Sequence, residues 1–248
     1  MRFGRLAPIH DARTFKFARY RMASMPAAPD SCNLVTGIME RLGIVNPATI
    51  WPMDDNDTLG NCTIAGIAHA VTTYRGMLHE VRVPSAADVD ALYFKLTGGP
   101  DSGLMELDVL NYWRQNTFAD DQIMAFVAID PKNHEHVKQA VAYFGGSYIG
   151  FQVQENACED FTAGKTWDAG PLTQDGHAVY VVGYDANGVW VLTWGGIQKA
   201  TWAWWDCCVA CQNGEAWVIL PPESQVAGFA TGFDFETLKA DLAALAKE

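Results

Sequence analysis

Basic side chains are scarce: 17 Lys and Arg stand against 29 Asp and Glu, for a formal net charge of -12. Nucleic-acid affinity rests largely on neutralising phosphates with such side chains, so no nucleic-acid partner is expected. Long hydrophobic runs are also missing. No apolar stretch reaches the roughly 18–20 residues that a membrane-crossing helix needs, because Gly, His or a charge interrupts each candidate, and no membrane partner is expected either. The first 21 residues scatter Arg2, Arg5, Arg13, Lys16, Arg19 and Arg21 among apolar ones, unlike the continuous apolar segment of a secretory signal; a soluble, cytoplasmic protein is the expectation. Without such a signal, Cys32, Cys62, Cys158, Cys207, Cys208 and Cys211 are expected as reduced thiols. Internal repeats and low-complexity tracts are lacking too.

What is present is the material of a packed core: 49% hydrophobic residues and nine Trp in 248 positions. One large domain with two halves suits that length. Residues 1–50 carry Pro8, Pro26, Pro29 and Pro47 and read as an irregular arm with a short helix over 32–42. The body is expected over 51–221, helical over 51–120 and sheet-rich over 121–221, with 222–248 forming a C-terminal helix. In the helical half, Ile64, Ile67, Ala68, Val71, Tyr74 and Leu78 recur at three- and four-residue spacing, which predicts a helix over 63–80. Two more are expected over 85–95, capped by Ser85 with Asp88, and 104–114. In the sheet half, strands are expected over 123–130, 147–153, 178–184, 189–194 and 216–220, a helix over 135–144, and a mobile Gly-rich loop over 164–176.

Chemistry points to Cys62. Turn-forming residues Trp51 to Asn61 precede it and the first apolar helix follows it, so its sulfur sits at a helix N-terminus, where unpaired N–H groups and the helix dipole favour a thiolate. A nucleophilic thiol needs an imidazole to take and return its proton. His177 opens an apolar strand directly after the Gly-rich segment, whereas His10, His69, His79, His134 and His136 fall on predicted helices or in the arm. Cys207, Cys208 and Cys211 lack the second ligand pair of a zinc site, so packing is the expectation and no metal or cofactor is implied. Trp202, Trp204 and Trp205 alternate with small residues and are expected in core or interface.

Gly60-Asn61-Cys62, and Gly176-His177-Ala178-Val179 running through Val182-Gly183-Tyr184, resemble the papain-like cysteine peptidases around their cysteine and histidine. The helix and strand between them, from Val137 to Val153, and Thr193-Trp194-Gly195 fit the same order. The resemblance spans roughly residues 50–221. It implies an α+β fold with the cysteine helix packed on an antiparallel sheet, and a thiol hydrolase acting on a peptide or protein substrate. It further implies Cys62 as nucleophile and His177 as base and then acid. Asn56, six residues before Cys62, stands where the family has an oxyanion-binding glutamine. The family's asparagine that orients the histidine is missing: alignment puts Leu192 there, and a shift of one puts Thr193, with Asp168 or Asp175 as further candidates. Thr63 replaces the aromatic that follows the family's cysteine. A weaker resemblance, to papain-like proteins of bacteriophages and prophages, implies an alternative: a non-catalytic assembly protein located in a virion, with virion proteins as partners.

Overall fold

The computed structural model describes residues 1–222 and 231–246. The arm runs over the body with only short regular pieces: helix α1 (Phe17–Tyr20), strand β1 (Cys32–Asn33) and helix α2 (Leu34–Leu42). Asn33 caps α2 by accepting from the Thr36 N–H, a role for which its short side chain is suited. Helix α2 therefore starts after Cys32 and Asn33, which pair instead with the main sheet. The turn-rich stretch before Cys62 is irregular, with Asp54 and Asp55 in left-handed conformations at φ 53° and 56°. It leads into helix α3 (Cys62–Met77), followed by α4 (Ala86–Thr97) and α5 (Glu106–Gln115). The expected capping box opens α4: the Asp88 N–H donates to Ser85 Oγ, and the Ser85 N–H to the Asp88 carboxylate. Helices α2, α4 and α5 and the sheet enclose α3 so fully that nearly every one of its residues is buried.

The second half comprises β2 (Ala125–Ile129), α6 (His134–Phe144), β3 (Ser147–Gln154), α7 (Ala157–Thr162), β4 (Leu172–Tyr184), β5 (Gly188–Thr193), β6 (Gly196–Thr201), α8 (Trp202–Trp204), β7 (Glu215–Leu220) and α9 (Phe235–Leu245), with a π-helical turn over Trp205–Val209 before β7. The strands form one antiparallel sheet in the order β2-β7-β3-β4-β5-β6, and β1 lies along the end of β4. Side chains alternate across a strand, and β4 uses both faces. Ala178, Tyr180 and Val182 meet α3 and its neighbours, whereas Val179 and Val181 join a second core with α6 and the aromatics Phe151, Trp167 and Trp204. The fold is α+β, with a cysteine-bearing helix laid on an antiparallel sheet.

Two expectations are corrected. The segment 164–176 is no free loop: Trp167 is fully buried, donates its Nε1–H to the Ala157 carbonyl and pairs by backbone with the 199–201 strand, and β4 already begins at Leu172. Glycine-rich composition hid this, since one buried Trp outweighs several permissive residues. Strand β6 was not expected at all. Its Gln198 and Lys199 are polar, and it joins β5 through a two-residue turn in which Trp194 and Gly195 take φ 47° and 71°. Such a turn follows the twist of the strands but normally selects Asn or Gly, so Trp194 read as the end of a strand. Trp202, Trp204 and Trp205 pack against the body as expected, Trp204 and Trp205 fully buried. The C-terminal helix expected over 222–248 is also corrected: among the described residues only Phe235–Leu245 is helical there, because Asp234 caps it by accepting from the Thr237 N–H after a turn at 231–232, while 223–230 and 247–248 lie outside the described residues.

Candidate active site

Cys62 is the first residue of α3, and His177 lies in the part of β4 against which that helix end packs. Asn61 fixes the approach. Fully buried, it donates from Nδ2 to the Asp54 carbonyl at 2.7 Å and to Asp90 Oδ1 at 3.1 Å, tying the turn-rich stretch to α4. On the other side, Tyr148 of β3 donates to the Thr63 carbonyl at 2.9 Å and holds the first turn of α3 on the sheet.

The imidazole of His177 faces the aromatic side of the sheet. Nε2 lies 2.8 Å from Thr193 Oγ1, and the ring stacks on Trp194 with centroids 4.7 Å apart. Of the candidates to partner the histidine, Thr193 is therefore the one in hydrogen-bond contact with its ring. Leu192 points to the opposite face and packs in the α3 core, and Asp168 bonds instead to Thr201 Oγ1 and the Ala169 N–H. Asp175 is exposed, with its own N–H on Thr173 Oγ1. Nδ1 of His177 is buried and has no hydrogen-bond partner. Cys62 is not hydrogen-bonded to it: the Ala178 and Gly4 N–H groups turn toward the sulfur instead. Burial pushes the Cys62 thiol up to about 11, against those two N–H groups. Burial, with a smaller contribution from His69, holds His177 down to about 3. Both groups are thus neutral near pH 7.

The arm is part of that burial. Residues 2–6 lie in the groove between the start of α3 and β4. The Arg2 N–H donates to the Asn56 carbonyl at 2.9 Å, the Arg5 N–H to the Gly176 carbonyl at 3.1 Å and the Leu6 N–H to the Leu104 carbonyl at 3.0 Å, while the Leu104 N–H donates to the Gly4 carbonyl at 2.9 Å. Phe3 sets its ring edge-on to His177, centroids 5.6 Å apart. A Cβ on Gly4 would stand 1.8 Å from the Gly60 carbonyl oxygen, so only glycine passes there. Asn56 also meets the arm: its Nδ2–H donates to the Leu59 carbonyl at 3.0 Å and, at 3.4 Å, to the Arg2 carbonyl. Cys62 and His177 are each left with 1% exposure, which closes both to any substrate in this state.

Sequence reasoning noted Arg5 only as one of several basic residues and missed Glu106 and Glu215, which bracket its side chain beside this groove. The available signal was Gly150, a glycine in the middle of an otherwise aromatic and β-branched strand. Of the described residues, no group of three or more His, Cys, Asp or Glu is arranged to hold a metal ion, and the six cysteines are free thiols.

No family model matches the chain, and no curated protein matches it by sequence. Its architecture does match solved structures. Xylellain, a cysteine protease from Xylella fastidiosa, superposes with a TM-score of 0.63 at 19% identity over 88% of this chain and 96% of that one. Procathepsin B S9 from Trypanosoma congolense gives 0.58 at 15% identity over 88% of this chain and 86% of the other. The Carica candamarcensis cysteine protease CMS1MS2, in complex with E-64, gives 0.52 at 14% identity over 78% and 99%. Together with the cysteine helix laid on an antiparallel sheet, these likenesses show that the chain has the fold of the papain-like cysteine proteases.

Proposed function

We propose that this protein is a papain-like thiol hydrolase acting on peptides or proteins, and that the state described here is its closed form. The observation that carries the reading is the pairing of His177 Nε2 with Thr193, which leaves Nδ1 bare on the strand against which the Cys62 helix end packs. When Thr193 Oγ1 accepts, Nε2 holds the proton and Nδ1 is the basic nitrogen. Once the arm leaves and the ring meets the sulfur, Nδ1 takes the Cys62 proton. The thiolate attacks the scissile carbonyl, and the Cys62 N–H and the Asn56 amide stabilise the oxyanion. His177 then gives the proton to the leaving amine, and water resolves the acyl-enzyme by the same route. The α3 dipole and the water admitted when the arm departs both lower the thiol pKa from its buried value.

The test is iodoacetamide alkylation of Cys62, mapped by mass spectrometry against pH. In the intact chain labelling is slow at pH 7.5. Arg5→Ala, which unpins the arm, accelerates it at least about tenfold, and His177→Ala in that background removes the acceleration. A second reading, a non-catalytic assembly protein of the same fold, is favoured by one observation: the arm fills the groove and is pinned by buried charge. It predicts that Cys62 stays unreactive, or reacts without regard to His177, in Arg5→Ala. None of the three likenesses described above is to a phage protein, and no feature of the site points to a virion.

A further inference from the structure

The Arg5 guanidinium is nearly fully buried in a socket that opens beside Cys62. Nη2 lies 2.7 Å from Glu215 Oε1, Nη1 donates to the Asn213 carbonyl at 2.7 Å, and Nε stands 3.3 Å from Glu106 Oε1. That last contact lacks hydrogen-bond geometry, so Arg5 Nε and Glu106 Oε1 are both buried without a hydrogen-bond partner. Trp217 Nε1–H fixes the other Glu106 oxygen at 2.9 Å. Gly150 of β3 makes the hole: a Cβ there would stand 1.8 Å from Arg5 Nε and 2.2 Å from Glu106 Oε1. The socket has two carboxylates for one cation. Burial raises the pKa of both Glu106 and Glu215, the expected response of acids short of counter-charge. The arm holds Arg5 there by main-chain bonds on both walls, to Gly176 and, through Gly4 and Leu6, to Leu104. All of those are main-chain bonds, so an extended peptide with glycine at the position of Gly4, where a Cβ would strike the Gly60 carbonyl, can make them in the same groove.

We propose that the socket of Glu106, Glu215 and the Asn213 carbonyl is a guanidinium subsite, that Arg5 is its resting occupant, and that the open hydrolase selects peptides carrying arginine at the residue paired with Leu104. This rests on the thiol hydrolase reading above. Arginine rather than lysine is specified because the donors needed diverge from one planar group toward three acceptors, which a compact ammonium on a flexible stem cannot match. Glu106 and Glu215 are specificity-determining residues; they take no part in bond breaking.

The experiment uses full-length Arg5→Ala and two small probes, ethylguanidinium and ethylammonium. Ethylguanidinium raises the melting temperature of Arg5→Ala by about 3–6 °C at ten times its Kd, ethylammonium by less than half as much, and the wild type, whose socket is full, stays unmoved. Adding Glu215→Gln removes the shift. If Arg5→Ala does not fold alone, recovery of folded protein on refolding with ethylguanidinium but not ethylammonium is the same readout. Equal response to both probes, or to neither, overturns the subsite. Fluorogenic peptides then separate the two layers. At least tenfold preference for arginine over leucine in Arg5→Ala, lost with Glu215→Gln, supports the subsite as selector, whereas indifferent turnover overturns it and leaves the hydrolase standing. Rescue by ethylguanidinium with turnover of no peptide overturns the hydrolase reading and retains a guanidinium site.

Discussion

Thr193 meets His177 with a single hydroxyl. The threonine reaches Nε2 at 2.8 Å because Trp194 turns the chain immediately after it, and the indole then lies flat on the imidazole. A neutral hydrogen bond is worth about 0.5–1.5 kcal/mol, so Thr193→Val in the Arg5→Ala background should slow Cys62 alkylation about 3- to 10-fold, read at several pH values. His177 also leaves a mark on stability. Its folded pKa, about 3, lies below the ordinary 6.5, so between those values the unfolded chain binds the extra proton. Its contribution is complete above about pH 6.5 and is lost as pH falls toward about 3, at up to about 1.4 kcal/mol per pH unit. Glu106 and Glu215, raised by burial, act in the opposite sense. The comparison that isolates the histidine is urea unfolding of wild type against His177→Gln from pH 7 to pH 4, where the variant loses less stability. Cys62 and His177 stood out in the sequence because a helix start and the onset of a buried apolar run each leave a compositional trace, although His177 proves to lie five residues inside β4, which begins at Leu172. The partner of His177 did not: either Leu192 or Thr193 fitted the alignment, and only the strand's alternation decides which side chain faces the ring.

Among the elements, β3 carries the most unusual demand. Its central Gly150 pairs with both Ala178 and Glu215 while leaving the gap through which Arg5 reaches Glu106. Gly150→Ala fills that gap. Overpacking a finished core costs about 1–3 kcal/mol, and here the methyl also drives the guanidinium from its carboxylates. The expected outcome is a lowered denaturation midpoint together with faster alkylation of Cys62, a combination that a purely local packing defect distant from the arm does not give. Helix α6 was legible because burial on one face writes a regular pattern into sequence, and α3 and β3, buried on nearly every side, because each is a sustained run of apolar residues. Strand β6 and the early part of β4 were not, since an edge strand with polar Gln198 and Lys199, or a strand leading out of a glycine-rich turn, is held by backbone pairing that leaves little trace in side-chain character.

At the scale of the whole molecule, closure depends on a charge inside the protein. Breaking a buried pair by removing one partner typically costs about 3–5 kcal/mol, so Arg5→Ala should lower the melting temperature by roughly 6–20 °C. Arg2→Ala, whose exposed contact with Asp101 is a surface ion pair at 3.0 Å, should change it by no more than about 4 °C. Calorimetry of the two variants side by side checks this. The arm's place in the groove was hidden from sequence reading for a physical reason. Its contacts with Leu104, Gly176 and Asn213 are main-chain or glycine-gap contacts between segments far apart in the chain, and composition records none of them.

Those separations set an order of events. Arg5 bonds to Asn213 and Glu215, 208 and 210 positions further along the chain, so during synthesis the arm emerges from the ribosome long before its anchor exists. Until β7 has been made, the guanidinium has only Glu106 of its three partners. The cover is therefore among the last pieces that can settle on a nascent chain, whose arm has no anchor at Asn213 or Glu215 until that stretch has been made.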